Sequence, residues 1–184
     1  TAIRHNLTFV NTRFTARVFV EIPLANATAR FEGNAFAGGI DTRFSGQSYV
    51  RIPGATVGEM GGAVSFVCQS DPSTTALPLI VFGDLLRVQL TGFTFNCPLE
   101  HRPIRILHSS LASGISLGVA TWRNASFVVE HTTLASIMDI SALLLTENSV
   151  ISLFNVTMSH MSVSLSTFTS FSKLQLEQVS TLVT

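Results

Sequence analysis

The stretch Ser149–Met161, SVISLFNVTMSHM, carries the pattern that the rest of the chain repeats. Its anchor is the apolar Leu153, which is followed by the polar Asn155 two residues later and by an apolar residue three positions further on. The same pattern recurs upstream, anchored on Val129, and downstream, anchored on Leu176, at nearly equal intervals. A strand-like pattern that recurs at such an interval is typical of a β-solenoid.

The alternation of side chains within each repeat explains why the repeats must stack. Successive side chains of a strand point to opposite faces, and here Leu, Val, Phe and Ile occupy one face while Ser, Thr, Asn and Gln occupy the other. One repeat cannot bury its apolar face alone, whereas parallel strands stacked about 4.8 Å apart form a continuous core. We therefore predict an all-β chain of coils of about 22–24 residues.

An antiparallel β-sandwich is the alternative fold for this strand-rich sequence. A sandwich shows turn signals every 8–12 residues or so, and tight hairpins favour Asn-Gly or Asp-Gly. Neither dipeptide occurs here, and the predicted strands are joined by longer links that contain Ser and Thr. These features favour the solenoid.

Residues 1–184 are interpreted as one solenoid segment, a slice of a longer chain, because neither end has the polar cap of a terminal repeat. The repeat lapses near 37–62, which is rich in glycine, and near 96–103, which contains two prolines, so we expect irregular insertions there. Further anchors are Phe9, Phe31, Phe66, Leu90 and Ile106.

Two of these anchors conflict. Leu90 follows Phe66 by a full coil length, but Ile106 follows Leu90 by an interval that is too short for one coil. The interval from Ile106 to Val129 is again a full coil length, which favours Ile106 as the anchor in register.

The position two residues after each anchor predicts a tight turn. Gly33 and Gly92 also fill it, and Gly and Asn tolerate a left-handed backbone better than other residues. We predict that the polar side chains at this position stack into a ladder. The predicted ladder consists of Asn11, His108, His131, Asn155 and Gln178.

The chain also contains candidate modification sites. Asn155 belongs to a sequon, but a ladder amide bonded to the coils above and below leaves no room for a glycan, so we expect little sugar there. The other sequons are the candidate N-glycosylation sites, namely Asn6, Asn26 and Asn124.

Two cysteines and a scarcity of lysine favour a cell-surface or extracellular location. Cys68 and Cys97 both lie where a strand meets a loop, and we predict a disulfide between them. The register that stacks Phe66 on Leu90 argues against this bridge. It places Cys68 opposite Gly92, which lies five residues before Cys97. A disulfide needs Cα atoms within about 7 Å.

Composition and side-chain spacing argue against several function classes. Lys and Arg total 11 and balance 11 Asp and Glu, so the sequence lacks the basic footprint of a nucleic-acid-binding protein. His108 and His131 would stack, but a metal site needs three or four ligands. Asp139 and Glu147, eight residues apart on a strand, would lie about 27 Å apart. We expect no catalytic residue, no metal and no cofactor.

Segments such as ARFEGNAF, VQLTGFTF and ISLFNVTMSHMSVSL resemble right-handed parallel β-helix proteins of the pectin-lyase-like kind. The sequence is rich in Ser and Thr, contains far more Arg than Lys and has several sequons. This composition resembles that of the very large dispersed-gene-family surface proteins of trypanosomes and their relatives. This resemblance implies a right-handed parallel β-helix, secreted or anchored in a membrane through regions outside this chain. It implies glycans or host and environmental surface proteins as partners. Pectin-degrading relatives cluster aspartates or basic residues on one strand face, whereas the aspartates here are scattered.

Two hypotheses of function remain. The first is a non-catalytic structural or adhesion module at the cell surface or in the extracellular space. The alternative is a carbohydrate-active β-helix enzyme, similar to a polysaccharide lyase or hydrolase, which would need a carboxylate cluster on one strand face. The weak clustering of charge in the sequence favours the module.

Overall fold

The computed structural model describes residues 6–10, 13–14, 18–22, 28–32, 35–36, 39–45, 49–52, 63–69, 79–82, 85–86, 89–101 and 103–181. The protein is all-β, and its parallel coils stack into a β-solenoid of about four turns. All strand pairings in the described part are parallel, and this part contains no helix. The predicted solenoid is confirmed, and the alternative of an antiparallel sandwich is wrong.

The described strands are mostly short, and the two longest continue through the corners of a coil. They are β1 (Asn6–Val10), β2 (Arg13–Phe14), β3 (Val18–Ile22), β4 (Thr28–Glu32), β5 (Ala35–Phe36), β6 (Gly39–Ser45), β7 (Tyr49–Ile52), β8 (Ala63–Gln69), β9 (Leu79–Phe82), β10 (Leu85–Leu86), β11 (Gln89–Leu90), β12 (Gly92–Asn96), β13 (Leu99–Glu100), β14 (Pro103–Leu107), β15 (Ser110–Leu111), β16 (Gly114–Arg123), β17 (Ser126–Thr146), β18 (Val150–Ser164), β19 (Thr167–Phe168), β20 (Lys173–Glu177) and β21 (Ser180–Thr181).

The sheet topology follows from the coiling. Parallel neighbours need a long crossover between them, and here that crossover is the remainder of one coil. β1, β4, β7 and β9 form a four-stranded sheet, β2 pairs with β5, and the other strands form one 15-stranded sheet. β17 and β18, which are consecutive in sequence, pair along most of their length.

The core is a column of apolar side chains that repeats once per coil. Ile106 faces Val129, Val129 faces Leu153, and Leu153 faces Leu176. The first three are fully buried, whereas Leu176, on the last described coil, is 46% exposed. The anchors predicted from the quoted stretch are therefore in register over four coils.

Aromatic rings fill the interior of the coils from Phe66 to Phe127. Trp122 is fully buried and lies 6.0 Å from both Phe95 and Phe127, measured between ring centroids. Phe93 lies 5.8 Å from Phe127, and Phe66 lies 6.1 Å from Phe95. Such ring pairs contribute roughly 0.5–1.5 kcal/mol beyond the area that they bury.

The predicted register of Phe66 over Leu90 is wrong. Phe66 faces Phe95, and Leu90 faces Leu111. Gly92 begins β12 and does not occupy a corner. Strands on every side of a coil alternate apolar and polar residues in the same way. Two residues about one coil length apart can therefore belong to different sides of the coil, as Phe66 and Leu90 do.

The N-terminal anchors agree with the backbone pairing, since Phe9 faces Phe31. β6 and β7 lie within 37–62, and β13 lies within 96–103. The insertion near 37–62 stays a prediction, because residues 53–62 lie outside the described part. Asn11 and Gly33 also lie outside it.

Residues with positive φ form the corners of the coils, both between strands and within the longest ones. Apart from Gly114, their φ values lie between 44° and 64°, in the left-handed region that non-glycine residues rarely adopt. Most of them recur once per coil and fall into three rows. The first corner row is His108, His131, Asn155 and Gln178; the second is His101, Asn124, Asn148 and Phe171; the third is Val119, Ala142 and Leu165.

Candidate functional site

The first corner row contains four of the predicted ladder residues, and three of them are in contact. The imidazole rings of His108 and His131 are stacked, with centroids 4.7 Å apart and planes inclined by 3°. Asn155 Nδ2 lies 2.8 Å from His131 Nδ1. Gln178 has a φ of 53° at the equivalent corner, and all four side chains are exposed.

The contact with Asn155 orients the imidazole that His131 presents to solvent. With the amide of Asn155 donating, His131 Nδ1 accepts, so the proton of the neutral imidazole lies on Nε2. The ring of Phe154 packs edge-on against the imidazole, with centroids 5.3 Å apart and planes inclined by 88°, and restricts it further. The exposed imidazole therefore offers a hydrogen-bond donor in a fixed orientation.

The second corner row repeats this pairing on another side of the coil. Asn124 Nδ2 lies 2.9 Å from His101 Nδ1, and both side chains are exposed. A cavity of about 300 Å³ lies beside them. It is lined by His101, Pro103, Asn124, Ala125, Ser126 and Asn148.

Sequence reasoning missed His101, which was not assigned to any ladder. The signal was its spacing from Asn124, which equals the spacing between His108 and His131. The sequence pattern places Asn155 in the predicted ladder and Asn124 outside it. In the structure both amides contact a histidine Nδ1 one coil away, so the hydrogen bond does not distinguish the two sequons.

Buried hydroxyls directly after three of the corners, at Ser109, Thr132 and Ser149, hold the backbone in place. Ser149, after Asn148, donates from Oγ to the carbonyl oxygen of Thr146 at 2.6 Å and accepts from the backbone N–H of Ala125 at 3.2 Å. Thr132, after the corner at His131, donates from Oγ1 to the carbonyl of Glu130 at 2.8 Å and accepts from the backbone N–H of Ser109 at 3.3 Å. A buried backbone group without such a partner would cost about 1–3 kcal/mol.

A row of charges runs beside the second corner row. Arg123 Nε lies 3.8 Å from Glu100 Oε1 and 3.4 Å from Glu147 Oε1. The three side chains are about half exposed. Since exposed ion pairs contribute only about 0–1 kcal/mol each, this row adds little to the stability of the fold.

Cys97 is buried and disulfide-bonded. The backbone pairing of β8 with β12 ends at Val67 and Asn96, the residues directly before Cys68 and Cys97. The side chain of Cys68 lies outside the described part, so its identity as the partner stays a prediction. Because Phe66 faces Phe95 and not Leu90, the register no longer argues against a bridge between Cys68 and Cys97.

The side chains of the two remaining candidate glycosylation sites lie outside the described part. Asn6 begins β1, and its side chain is not described, whereas Asn26 lies wholly outside the described residues. Within the ranges that the structure covers, no three or more His, Cys, Asp or Glu side chains are grouped to hold a metal ion. No helix capable of crossing a membrane is present among these same residues.

No protein-family model, curated protein or solved structure matches this chain. The resemblance implied a parallel β-solenoid, and that architecture is present. The corners present exposed amide and imidazole groups that contact one another between neighbouring coils.

Proposed function

We propose that this chain is a non-catalytic structural and adhesion module of a cell-surface or secreted protein. The observation that carries the proposal is the repeated presentation of exposed amide and imidazole side chains at the corners of a parallel solenoid. Parallel strands repeat about every 4.8 Å, so the first corner row forms an evenly spaced line of such groups.

The rigidity of the scaffold supports this role. A recognition surface is precise when its side chains stand on regular elements whose positions are held by packing. The corners at His131 and Asn155 follow the buried column residues Val129 and Leu153, and Thr132 adds a hydrogen bond directly after His131. The exposed groups therefore need little ordering when a partner binds.

The partner class that fits these groups is a glycan or a polar protein surface. Amides both donate and accept hydrogen bonds, and His131 adds a donor, which suits a ligand rich in hydroxyl groups. The similarity in style to trypanosome surface proteins and to pectin-lyase-like β-helices supports the location and the ligand class. The sequons add support for a secreted or surface protein.

A glycan array probed with the purified chain tests the proposal. We expect binding to a subset of glycans, and at least a tenfold loss in a variant with His131→Ala and Asn155→Ala. Thr121→Ala is the matched control, because Thr121 is exposed on a strand outside the first corner row. Equal binding by all three proteins, or none by the wild type to glycans and to surface-protein extracts, would contradict the proposal.

A degradation assay on polysaccharides tests the enzymatic alternative on the same preparation. An adhesion module leaves the polymer length unchanged over hours. Release of new reducing ends or unsaturated products would replace the adhesion proposal with the carbohydrate-active one.

A further inference from the structure

The whole acceptor tripeptide Asn124-Ala125-Ser126 lines the cavity beside the second corner row. Asn124 is exposed and has a φ of 44°, which places it at the apex of a corner. The cavity of about 300 Å³ is at the lower limit of the roughly 300–1,000 Å³ of small-ligand pockets. Its volume is large enough for one sugar ring.

The walls of the cavity match the two faces of a sugar. Pro103 and Ala125 supply carbon atoms for the apolar face of the ring, whereas Ser126 and Asn148 supply polar groups for hydroxyl and acetamido groups. Asn148 is exposed and lies at the equivalent corner of the next coil. An N-acetylhexosamine has both kinds of surface.

The contact of Asn124 with His101 is compatible with modification at the same nitrogen. An amide nitrogen carries two hydrogens, and His101 Nδ1 accepts only one of them across 2.9 Å. The assumption that a hydrogen-bonded amide cannot carry a glycan is therefore not required by the chemistry. The second hydrogen is the one that a sugar can replace.

We propose that Asn124 is N-glycosylated and that its first N-acetylhexosamine lies in this cavity; the proposal rests on the secreted or surface location in the proposed function. The donor is a polyprenyl-diphosphate-linked sugar of the host. A bond forms between Asn124 Nδ2 and the anomeric carbon, and the bond from that carbon to the diphosphate oxygen breaks. Nδ2 loses one proton, the diphosphate leaves with the electron pair, and the remaining N–H still donates to His101.

The first test is peptide mass mapping of the chain after passage through the secretory pathway of a eukaryotic cell. We expect more than half of the Asn124-containing peptide to carry a glycan. An unmodified Asn124 in protein that was secreted would overturn the proposal, whether or not Asn6 and Asn26 are modified.

The second test asks where the first sugar lies. An endoglycosidase trims each glycan to one sugar, and calorimetry then compares the trimmed protein with a trimmed Ser126→Ala variant, which keeps Asn124 but loses the sequon. We expect the wild type to melt at least about 2–4 °C higher, the shift for roughly 1 kcal/mol in a chain of this size. Identical melting temperatures would overturn the seating of the sugar in the cavity.

Asn148→Ala provides a check on the contact itself. It should lower the melting temperature of the trimmed, glycosylated protein by more than it lowers that of the Ser126→Ala variant. Equal effects in both backgrounds would contradict a contact between Asn148 and the sugar. Glycan binding by unglycosylated protein from bacteria tests the adhesion function separately, so failure of one proposal can be told from failure of the other.

Discussion

Asn155 Nδ2 lies 2.8 Å from Nδ1 of His131, a residue one coil earlier in the sequence and directly adjacent in space. The pair joins two corners that share a φ of 49°. It follows that neighbouring coils are linked through exposed side chains as well as through the buried column and the backbone. Asn124 and His101 form the equivalent link on another side.

A double-mutant cycle on His131→Ala and Asn155→Ala measures the strength of this link. Because both side chains are exposed, we expect a coupling energy at the low end for a hydrogen bond, about 0.5 kcal/mol. Urea unfolding of the four proteins gives the value. The cycle on His101 and Asn124 is the matched control and should give a similar coupling, whereas strictly additive effects at both sites would refute the link.

Gly114 is expected to tolerate no side chain. Its φ is 92°, and a Cβ there would collide with the backbone carbonyl of Ile137. Gly114→Ala should therefore lower the free energy of unfolding by at least about 2 kcal/mol. Gly92→Ala is the control, because the nearest atom to its added Cβ would be 3.4 Å away, and its cost should stay within about 1 kcal/mol. Similar costs for the two variants, measured by urea unfolding, would contradict this account.

Leu153→Asp and Ser152→Asp test the assignment of faces in the quoted stretch. Leu153 is fully buried in the apolar column, so its replacement puts an unpaired charge into the core and should cost more than about 3 kcal/mol. Ser152 is half-buried on the opposite face, and its replacement should change the free energy of unfolding by about 0.5 kcal/mol or less. If both variants melt at one temperature, the faces are assigned wrongly.

The predicted bridge between Cys68 and Cys97 closes a loop slightly longer than one coil. The chain-entropy model gives about 3–4 kcal/mol of stabilisation for a loop of this size. We expect no free thiol in the purified, unreduced protein and a lower melting temperature after reduction. Two titratable thiols before reduction would exclude the bridge.

The sequence predicted the stacking wherever the apolar pattern kept a regular interval. Ile106, Val129 and Leu153 could be aligned because they are almost equally spaced and each is followed by a polar corner. Phe66 and Leu90 were aligned wrongly because alternation is the same on every side of a coil. Only the backbone pairing of Phe66 with Phe95 identifies the side to which each belongs.

The corners were harder to predict than the core. Asn and Gly report a left-handed backbone, but Val119 and Leu165 adopt it with side chains that are 76% and 90% exposed. A β-branched valine disfavours this conformation, so its presence gives no hint of a turn. The pairing of His101 with Asn124 depends on which residues the turns bring together, and only their spacing of one coil pointed to it.

The central claim is that residues one coil apart in the sequence stack in parallel register, and paired cysteines measure this register directly. Val128 faces Ser152 on the outer side of neighbouring strands. Their Cα atoms should lie about 4.8 Å apart, within the range of roughly 4.4–6.8 Å for a disulfide. Phe154, two residues further along β18, should lie about 8 Å from Val128, which is too far for a bridge.

Mild oxidation followed by peptide mapping should therefore cross-link the variant with Val128→Cys and Ser152→Cys. The variant with Val128→Cys and Phe154→Cys should remain unlinked under the same conditions. This result is the one that the parallel solenoid predicts. Efficient cross-linking of the second variant with none in the first would contradict the register on which the corner rows depend.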